Sequence, residues 1–432
     1  MSTPATPATA ASSASSLRPL LARITRDQGP ENEQSLTFAA LTQVSTPTSL
    51  RTDRKIKWLD FHFRGRILNG ATGPTLRTGP LILNALYANT GYTAPATATN
   101  SNILFSLIQQ ITIRGQHLKY GSQTLVQMRG EAIAEYLALM LPNYVPQYAV
   151  AQNGGALLKF GPLDTTAAHF NDVDFVLPVP LYPPDISSAD SVMYCVHGPD
   201  WPGNFYVDVL FADGTALATA NAPATFTAYG SSTGSPSLQI LSERPLLGKD
   251  YMSSIRGAIT FRITFSSQPT TVVSSSGGTG VQLQPLQVGK DTTRIFLKTG
   301  VQGTGESAGV IAYGSLSDLI CTNTFFSLDS RQLRFQGANG NPAMQDYMAR
   351  SYYRWMPAGY LLLDFISNTG MGPANPKSAF GSSQLTAARK FEIDADTTSA
   401  ANQIAEVVQE MLLGAPGITT ASSAASTTAT AS

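Results

Sequence analysis

Histidine is the side chain best suited to move protons or bind metals at neutral pH, so the four histidines are the first candidates for chemistry. They are His62, His117, His169 and His197. No two of them have the spacing of a metal-ligand pair, and the chain has neither a His-Glu-x-x-His motif nor a Cys/His cluster. We therefore predict no metal site, and we expect these histidines at the surface or at the edge of the core.

Two glycine-rich segments match known motifs only in part. Residues 230–234 have the pattern Gly-x-Ser-x-Gly, but a nucleophile elbow requires a helix directly afterwards, and Pro236 and a β-like segment follow instead. Residues 303–309 lack both the Lys-Ser/Thr pair of a phosphate-binding loop and the spacing of a dinucleotide fingerprint. We predict a hairpin-type loop at the first segment and a strand-connecting loop at the second.

The acidic residues give no defined site. Asp172 and Asp174 lie near His169, but a calcium loop needs more oxygen ligands than two carboxylates supply. A glycoside-processing enzyme would need two carboxylates brought together by folding, which the sequence leaves open. The remaining isolated acids on or beside predicted strands are Asp364, Asp394 and Asp396. We predict no catalytic residue, no cofactor and no metal, and hence a protein that is not an enzyme.

An aromatic run, Tyr352-Tyr353-Arg354-Trp355, is of the kind that stacks on bases or sugars. It stands at the end of a predicted helix, so packing or a subunit interface is the favoured interpretation.

Composition indicates a β protein with long polar loops. The chain has 432 residues, of which only 13% are charged, with 36 Gly and 27 Pro, and this length favours two domains. The net charge is zero and no Lys/Arg run occurs, so we predict no direct nucleic-acid binding. Cys195 and Cys321 each lie in an apolar stretch, and both two buried thiols and a disulfide remain compatible with the sequence.

The ends of the chain share an Ala/Ser/Thr composition. Residues 1–16 and 419–432 are expected to be flexible arms, although Arg18 and Arg23 loosely imitate a transit peptide. No apolar run is long enough for a transmembrane helix.

Hydrophobic periodicity predicts many short strands and a few helices. Residues 55–68 alternate clearly, with Leu59, Phe61 and Phe63 on one face. Helices are predicted at 122–140, with Ser122 as N-cap and Pro142 after the end, and at 343–355, and the final segment 404–413 also has helical spacing. Further strands are predicted at 35–48, 103–120, 173–179, 204–211, 225–229, 238–241, 255–265, 294–298, 317–335, 360–366 and 390–395.

The two halves of the chain share a pattern at an offset of 215 residues. Gln116-His117-Leu118-Lys119-Tyr120 precedes a helix that ends before Pro142, and Arg331-Gln332-Leu333-Arg334-Phe335 precedes a helix that ends before Pro357. A strand end, a helix and a terminating proline that match without an insertion indicate an internal duplication.

A mostly β unit with a helix inserted between its strands, used twice, resembles the double jelly-roll major capsid proteins of tailless icosahedral viruses and phages (the PRD1/adenovirus-like lineage). The resemblance is architectural and spans residues 35–415. It implies two jelly rolls side by side, each with an inserted helix. We expect an N-terminal arm at 1–34, a first roll at 35–270, a linker at 271–291, a second roll at 292–415 and a tail at 416–432.

The same resemblance implies a viral major capsid protein located in the virion. Three chains would form a pseudo-hexagonal capsomer, and capsomers would tile an icosahedral shell. The implied partners are other copies of the chain, neighbouring capsomers, penton or minor capsid proteins, and an internal membrane where one exists. The alternative hypothesis is a β-sandwich carbohydrate-binding or adhesin-like module, which predicts a stable monomer.

Overall fold

A computed structural model describes part of the chain, with the longest continuous stretches in its first half. The residues it describes are 24–27, 33–35, 48–49, 55–56, 58–76, 98–140, 147–181, 196–197, 200–201, 205–223, 225–245, 261–266, 270–273, 281–282, 291–302, 311–312, 321–328, 331–336, 360–364, 391–395 and 403–413.

Within these residues the chain is mostly β. One α-helix, α1, spans Gly130–Met140, and 3-10 helices span Ala98–Leu107 and Gly214–Leu217. The strands are β1 Ile24–Asp27, β2 Glu33–Ser35, β3 Thr48–Ser49, β4 Lys55–Ile56, β5 Trp58–Leu68, β6 Thr75–Leu76, β7 Ile108–His117, β8 Gly121–Met128, β9 Gln147–Gln152, β10 Leu158–Lys159, β11 Phe170–Pro180, β12 Val196–His197, β13 Phe205–Phe211, β14 Ala218–Ala220, β15 Thr225–Thr227, β16 Ser237–Pro245, β17 Phe261–Ser266, β18 Thr270–Val273, β19 Val281–Gln282, β20 Asp291–Gln302, β21 Ile311–Ala312, β22 Cys321–Leu328, β23 Arg331–Gln336, β24 Tyr360–Asp364, β25 Phe391–Ala395 and β26 Gln403–Leu413.

The first half of the chain forms two antiparallel sheets around one core. In the first sheet β5 pairs with β11 on one edge and with β16 on the other, and β9 extends the sheet beyond β11. In the second sheet β7 pairs with β8 and β13. Because side chains alternate along a strand, one face of β5 supplies the fully buried Leu59, Phe61 and Phe63, as the sequence predicted.

The 3-10 helix 98–107 contributes side chains to the core. Phe105 of this helix meets Phe175 of β11 edge-to-face, with ring centroids 5.3 Å apart, and Phe175 stacks on Phe63 at 4.8 Å. A strand had been predicted from residue 103, but the strand begins at Ile108. Residues 103–107 are buried without interruption and lack the alternation that would distinguish a strand from a helical turn.

The start of the predicted helix at 122–140 was wrong, and its end was correct. Residues 121–128 form β8, which makes a tight antiparallel hairpin with β7, and α1 begins only at Gly130. Leu125 and Met128 match the spacing of a helix, which explains the prediction. Gly121, however, adopts a φ of +71°, which is typical of a turn, and strand β8 begins at this residue.

The helical spacing predicted for 404–413 was also wrong, because this segment is strand β26. It pairs with β20 on one edge and with β17 on the other. Val408, Gln409, Glu410 and Met411 are all buried, so the strand is covered on both faces and the alternation typical of a half-exposed strand is absent.

The strand pairing occurs twice in the same chain order. In the first set β5 lies between β11 and β16, β1 and β2 pair with the outer edge of β16, and β7 lies between β8 and β13. In the second set β20 lies between β24 and β26, β17 and β18 pair with the outer edge of β26, and β22 lies between β23 and β25. Each set has eight strands, which is the strand number of a jelly roll.

The predicted offset of 215 residues needs correction at the hairpins. β7, which pairs with β8, ends at residue 117, and β22, which pairs with β23, ends at residue 328, which gives an offset of 211. With the predicted offset of 215, residues 118–120 of the turn between β7 and β8 align with residues 333–335 of strand β23. The predicted helix at 343–355 lies outside the described residues.

Two strands lie in or beside the segment predicted as a linker. β18 pairs with β26, and β19 pairs with β25. β26 and β25 thus supply pairing partners for these two short strands, which lie on either side of the Ser/Gly-rich residues 274–280.

Candidate functional site: the junction between the two rolls

The two rolls are hydrogen-bonded to each other through one strand. β17 pairs antiparallel with β26 of the second roll and parallel with β8 of the first, at Thr264–Val126 and Phe265–Gln127. The result is a ten-stranded sheet that runs through both rolls. Backbone hydrogen bonds therefore fix the position of one roll against the other.

A buried polar triad crosses the same junction. Arg294 of β20 donates from Nη1 to Oε1 of Glu410 in β26 at 2.9 Å, and the Tyr136 hydroxyl of α1 donates to Oε2 of the same carboxylate. Arg294 and Glu410 are each about 1% exposed and Tyr136 is 2% exposed. Removing one partner of a buried ion pair leaves the other charge uncompensated, which costs about 3–5 kcal/mol.

Close backbone packing brings Tyr136 to this position. A Cβ on Gly130, the first residue of α1, would lie 2.5 Å from the carbonyl oxygen of Phe105 and 2.9 Å from atoms of Ile108. Only glycine allows the helix to begin this close to the 3-10 helix and β7. The helix then buries apolar side chains on several faces, which is typical of a helix enclosed in a core.

Sequence reasoning missed this triad. Its members are separated by 116 and 274 residues, so no local spacing connects them. The available signal was a charge beside a run of apolar residues, as at Arg294 before Ile-Phe-Leu and Glu410 before Met-Leu-Leu. An isolated charge of this kind is tolerated in a core only when it is paired.

The two aspartates considered for calcium are held by cations of the neighbouring strand. Arg66 donates from Nε and Nη2 to the two carboxylate oxygens of Asp172 at 2.8 Å each, and this hydrogen bonding raises the pKa of Arg66. Asp174 contacts His62 Nε2 at 2.7 Å and Arg64 Nε at 3.2 Å. These contacts form a row of cross-strand ion pairs on the outer face of β5 and β11.

His169 belongs to a polar loop rather than to a site with Asp172 and Asp174. Its Nδ1 lies 2.7 Å from Oδ2 of Asp164, whose Oδ1 accepts from the backbone N–H of Thr166. Burial raises the pKa of the Asp164 carboxyl, but the hydrogen bonds from His169 and Thr166 outweigh it and hold that pKa below its ordinary value. Asn69 ties the loop to the end of β5 by donating to the carbonyls of Asp164 and Thr166.

The Gly-x-Ser-x-Gly segment is a loop, as predicted, but not a hairpin. β15 and β16 both pair antiparallel with the same edge of β5, so residues 228–236 form an excursion from one interrupted strand. Ser231 Oγ accepts from the backbone N–H of Thr233. A strand follows the loop, so the arrangement is not a nucleophile elbow.

The second glycine-rich segment, residues 303–309, lies outside the described residues, and the strands on either side of it, β20 and β21, pair antiparallel. Asp364 and Asp394 lie in β24 and β25. His197 lies in β12 and Cys321 begins β22. Cys195, Asp396 and the aromatic run 352–355 lie outside the described residues, and the pairing of the two cysteines stays open.

The described residues contain neither a cluster of metal ligands nor a helix that could span a membrane. No three His, Cys, Asp or Glu side chains in this part of the chain converge as metal ligands. No helix among the described residues has the length and apolar character needed to cross a bilayer.

Comparison with known proteins supports the fold. No family model matches the sequence, and no curated protein matches it. The crystal structure of the STIV MCP (major capsid protein) is similar over 91% of this chain and 97% of that chain, with 12% identity and a TM-score of 0.53. A chain from the atomic structure of Sulfolobus Turreted Icosahedral Virus is similar over 91% of both chains, with the same identity and TM-score.

At 12% identity this likeness concerns the fold alone. Together with the twofold occurrence of an eight-strand pairing pattern, it confirms the predicted fold class of a mostly β protein with two jelly rolls. The chain thus has the double jelly-roll fold seen in the major capsid protein of Sulfolobus turreted icosahedral virus.

Proposed function

We propose that the protein is a viral major capsid protein that assembles as homotrimeric capsomers into the icosahedral shell of a virion. The observation that carries this proposal is the structural likeness to a major capsid protein over nearly the full length of both chains. The fixed junction between the rolls supports it, because a building block of a closed shell must present its contact surfaces at a constant angle.

The geometry of a trimer follows from two rolls in each chain. Three chains with two similar rolls each present six similar corners, and such an outline packs into a hexagonal lattice. The partners of the protein on this proposal are other copies of itself, together with penton or minor capsid proteins and, where one exists, an internal membrane. We assign no catalytic role and no sequence-specific nucleic-acid binding.

We propose that the boundary between the rolls lies at residues 246–260, ahead of the linker predicted at 271–291. β17 and β18 occupy in the second set of strands the places that β1 and β2 occupy in the first. The first roll on this proposal ends with β16 and the second begins with β17.

The first experiment is the solution mass of the purified chain by light scattering. A trimer of three times 45.8 kDa, or larger shell fragments, is expected, and electron microscopy should then show hexagonal arrays or closed shells. A chain that stays monomeric at high protein concentration contradicts the proposal. In that case binding to a glycan array tests the carbohydrate-binding alternative directly.

A further inference from the structure

The turn between β7 and β8 is closed around the imidazole of His117. Nδ1 of His117 accepts hydrogen bonds from the backbone N–H groups of Lys119 at 3.0 Å and Tyr120 at 3.2 Å. The N–H of Leu118, which lies between His117 and Lys119, donates to the carbonyl of Asp200 at 2.8 Å. Three successive backbone N–H groups of the turn are therefore satisfied, two of them by one nitrogen atom.

This arrangement requires one protonation state. An imidazole nitrogen that accepts from two N–H donors must present its lone pair, so Nδ1 carries no hydrogen. His117 is 8% exposed, and its ring lies 4.8 Å from the ring of Tyr120 and 5.0 Å from the ring of Trp201 between centroids. Little water can reach Nδ1 to replace a lost contact while the turn stays closed.

The charged groups near His117 act in opposite directions. Burial lowers the pKa of His117, the carboxylate of Asp200 raises it, and the ammonium of Lys119 lowers it, with a net decrease. The neutral ring is thus the form that the closed turn stabilises.

We propose that His117 is an acid-sensitive latch that holds the β7–β8 turn closed. A proton that adds to Nδ1 occupies the lone pair and turns the acceptor into a donor that faces two other donors. Both hydrogen bonds are then lost, and the turn must open to separate these groups. Opening breaks the hydrogen bond from the Leu118 N–H to the carbonyl of Asp200. The Leu118 side chain, which is 59% exposed in the closed turn, then changes its position at the surface of the first roll.

The pH at which the latch acts follows from linkage. An unfolded or open segment takes up a proton near the ordinary histidine pKa of about 6.5, whereas the closed turn resists it to lower pH. The closed form is favoured fully above that value, and its advantage falls as the pH decreases from the pKa of the open form to that of the closed form. The expected switch therefore lies in mildly acidic solution.

The test is amide hydrogen exchange on the full-length protein between about pH 7.5 and pH 5, corrected for the intrinsic exchange rate. We expect protection of the Lys119 and Tyr120 amides to fall as the pH decreases, because the pKa of His117 is lower in the closed turn than in the open one. His117→Asn is the informative variant, because Oδ1 of asparagine can accept at the place of Nδ1 and does not titrate. This variant should keep the turn protected at both pH values.

His62→Asn is the matched control, because His62 contacts Asp174 on the outer face of β5, a strand of the other sheet. It should retain the wild-type pH dependence of residues 119 and 120. If the His117→Asn chain does not fold, the NMR titration of the His117 ring in the wild-type protein replaces it, and the ring should titrate together with the loss of protection. Protection that is unchanged down to pH 5, or that falls equally in the His117→Asn variant, overturns the proposal.

Discussion

At the scale of single residues, two ion pairs of the same chemistry differ in burial. Asp172 and Asp174 lie two residues apart on the same face of β11, but the Asp172 side chain is 8% exposed and the Asp174 side chain is 25% exposed. Asp172 accepts two hydrogen bonds from Arg66 and one from the backbone N–H of Gly230. We therefore expect removal of the charge to destabilise the fold more at Asp172 than at Asp174.

We predict that Asp172→Asn lowers the free energy of unfolding by about 2–3 kcal/mol, since it leaves the charge of Arg66 uncompensated in a buried position. Asp174→Asn is the matched control and should cost less than about 1 kcal/mol, as is usual for exposed pairs. Chemical denaturation of both variants measures the difference. Equal losses would show that burial does not control the strength of this row of ion pairs.

A second prediction at this scale concerns acid stability. Because the folded protein holds the pKa of Asp164 below its ordinary value, the carboxylate stabilises the fold at neutral pH. This contribution should disappear as the pH falls below about 4, where the unfolded chain takes up the proton first. Melting temperatures between pH 5 and pH 3 should fall less steeply for Asp164→Asn than for the wild-type protein. An identical slope in both proteins would contradict this assignment.

At the scale of elements, the position of α1 depends on the absence of one side chain. Gly130→Ala places a Cβ against the carbonyl oxygen of Phe105 and against the Cβ and carbonyl oxygen of Ile108. None of these atoms is the end of a flexible side chain that could move away. We predict a loss of about 2–3 kcal/mol, typical of overpacking in a core. Gly230→Ala is the control, because its Cβ meets nothing within 4 Å and only its φ of +69° opposes alanine. That strain should cost about 1–2 kcal/mol. A smaller loss for Gly130→Ala than for Gly230→Ala would show that α1 can shift freely.

The elements also show which structural features can be inferred from sequence. β5 is predictable because one of its faces is buried and the other carries His62 and Arg64, so its period of two is visible. β26 is not, because both faces are covered and its apolar residues happen to match a helical stripe. The junction triad is not predictable either, because only the fold brings Tyr136, Arg294 and Glu410 together.

At the scale of the whole molecule, the junction should make the two rolls unfold as one. We predict a single calorimetric transition for the wild-type protein, because separation of the rolls breaks the β17–β8 pairing and exposes the buried triad. Arg294→Met leaves the Glu410 carboxylate without its cation and should destabilise the second roll by about 3–5 kcal/mol, so that it melts ahead of the first. Tyr136→Phe removes one hydroxyl and should lower the transition by a smaller amount, about 1 kcal/mol. Two separate transitions in the wild-type protein would refute the coupling, and an unshifted transition in Arg294→Met would refute the role of the ion pair.

The place of β26 in the ten-stranded sheet has a consequence for biosynthesis. All strands of the first set precede residue 246, so the ribosome releases a complete first roll while the second is still being made. β17 and β20, in contrast, leave the ribosome more than one hundred residues before β26, the strand that lies between them. During that interval both strands have an unoccupied edge, and a nascent neighbour on the same polysome could occupy it. Slow translation ahead of residue 403 would prolong this exposure, and a chaperone that shields strand edges would act at this stage.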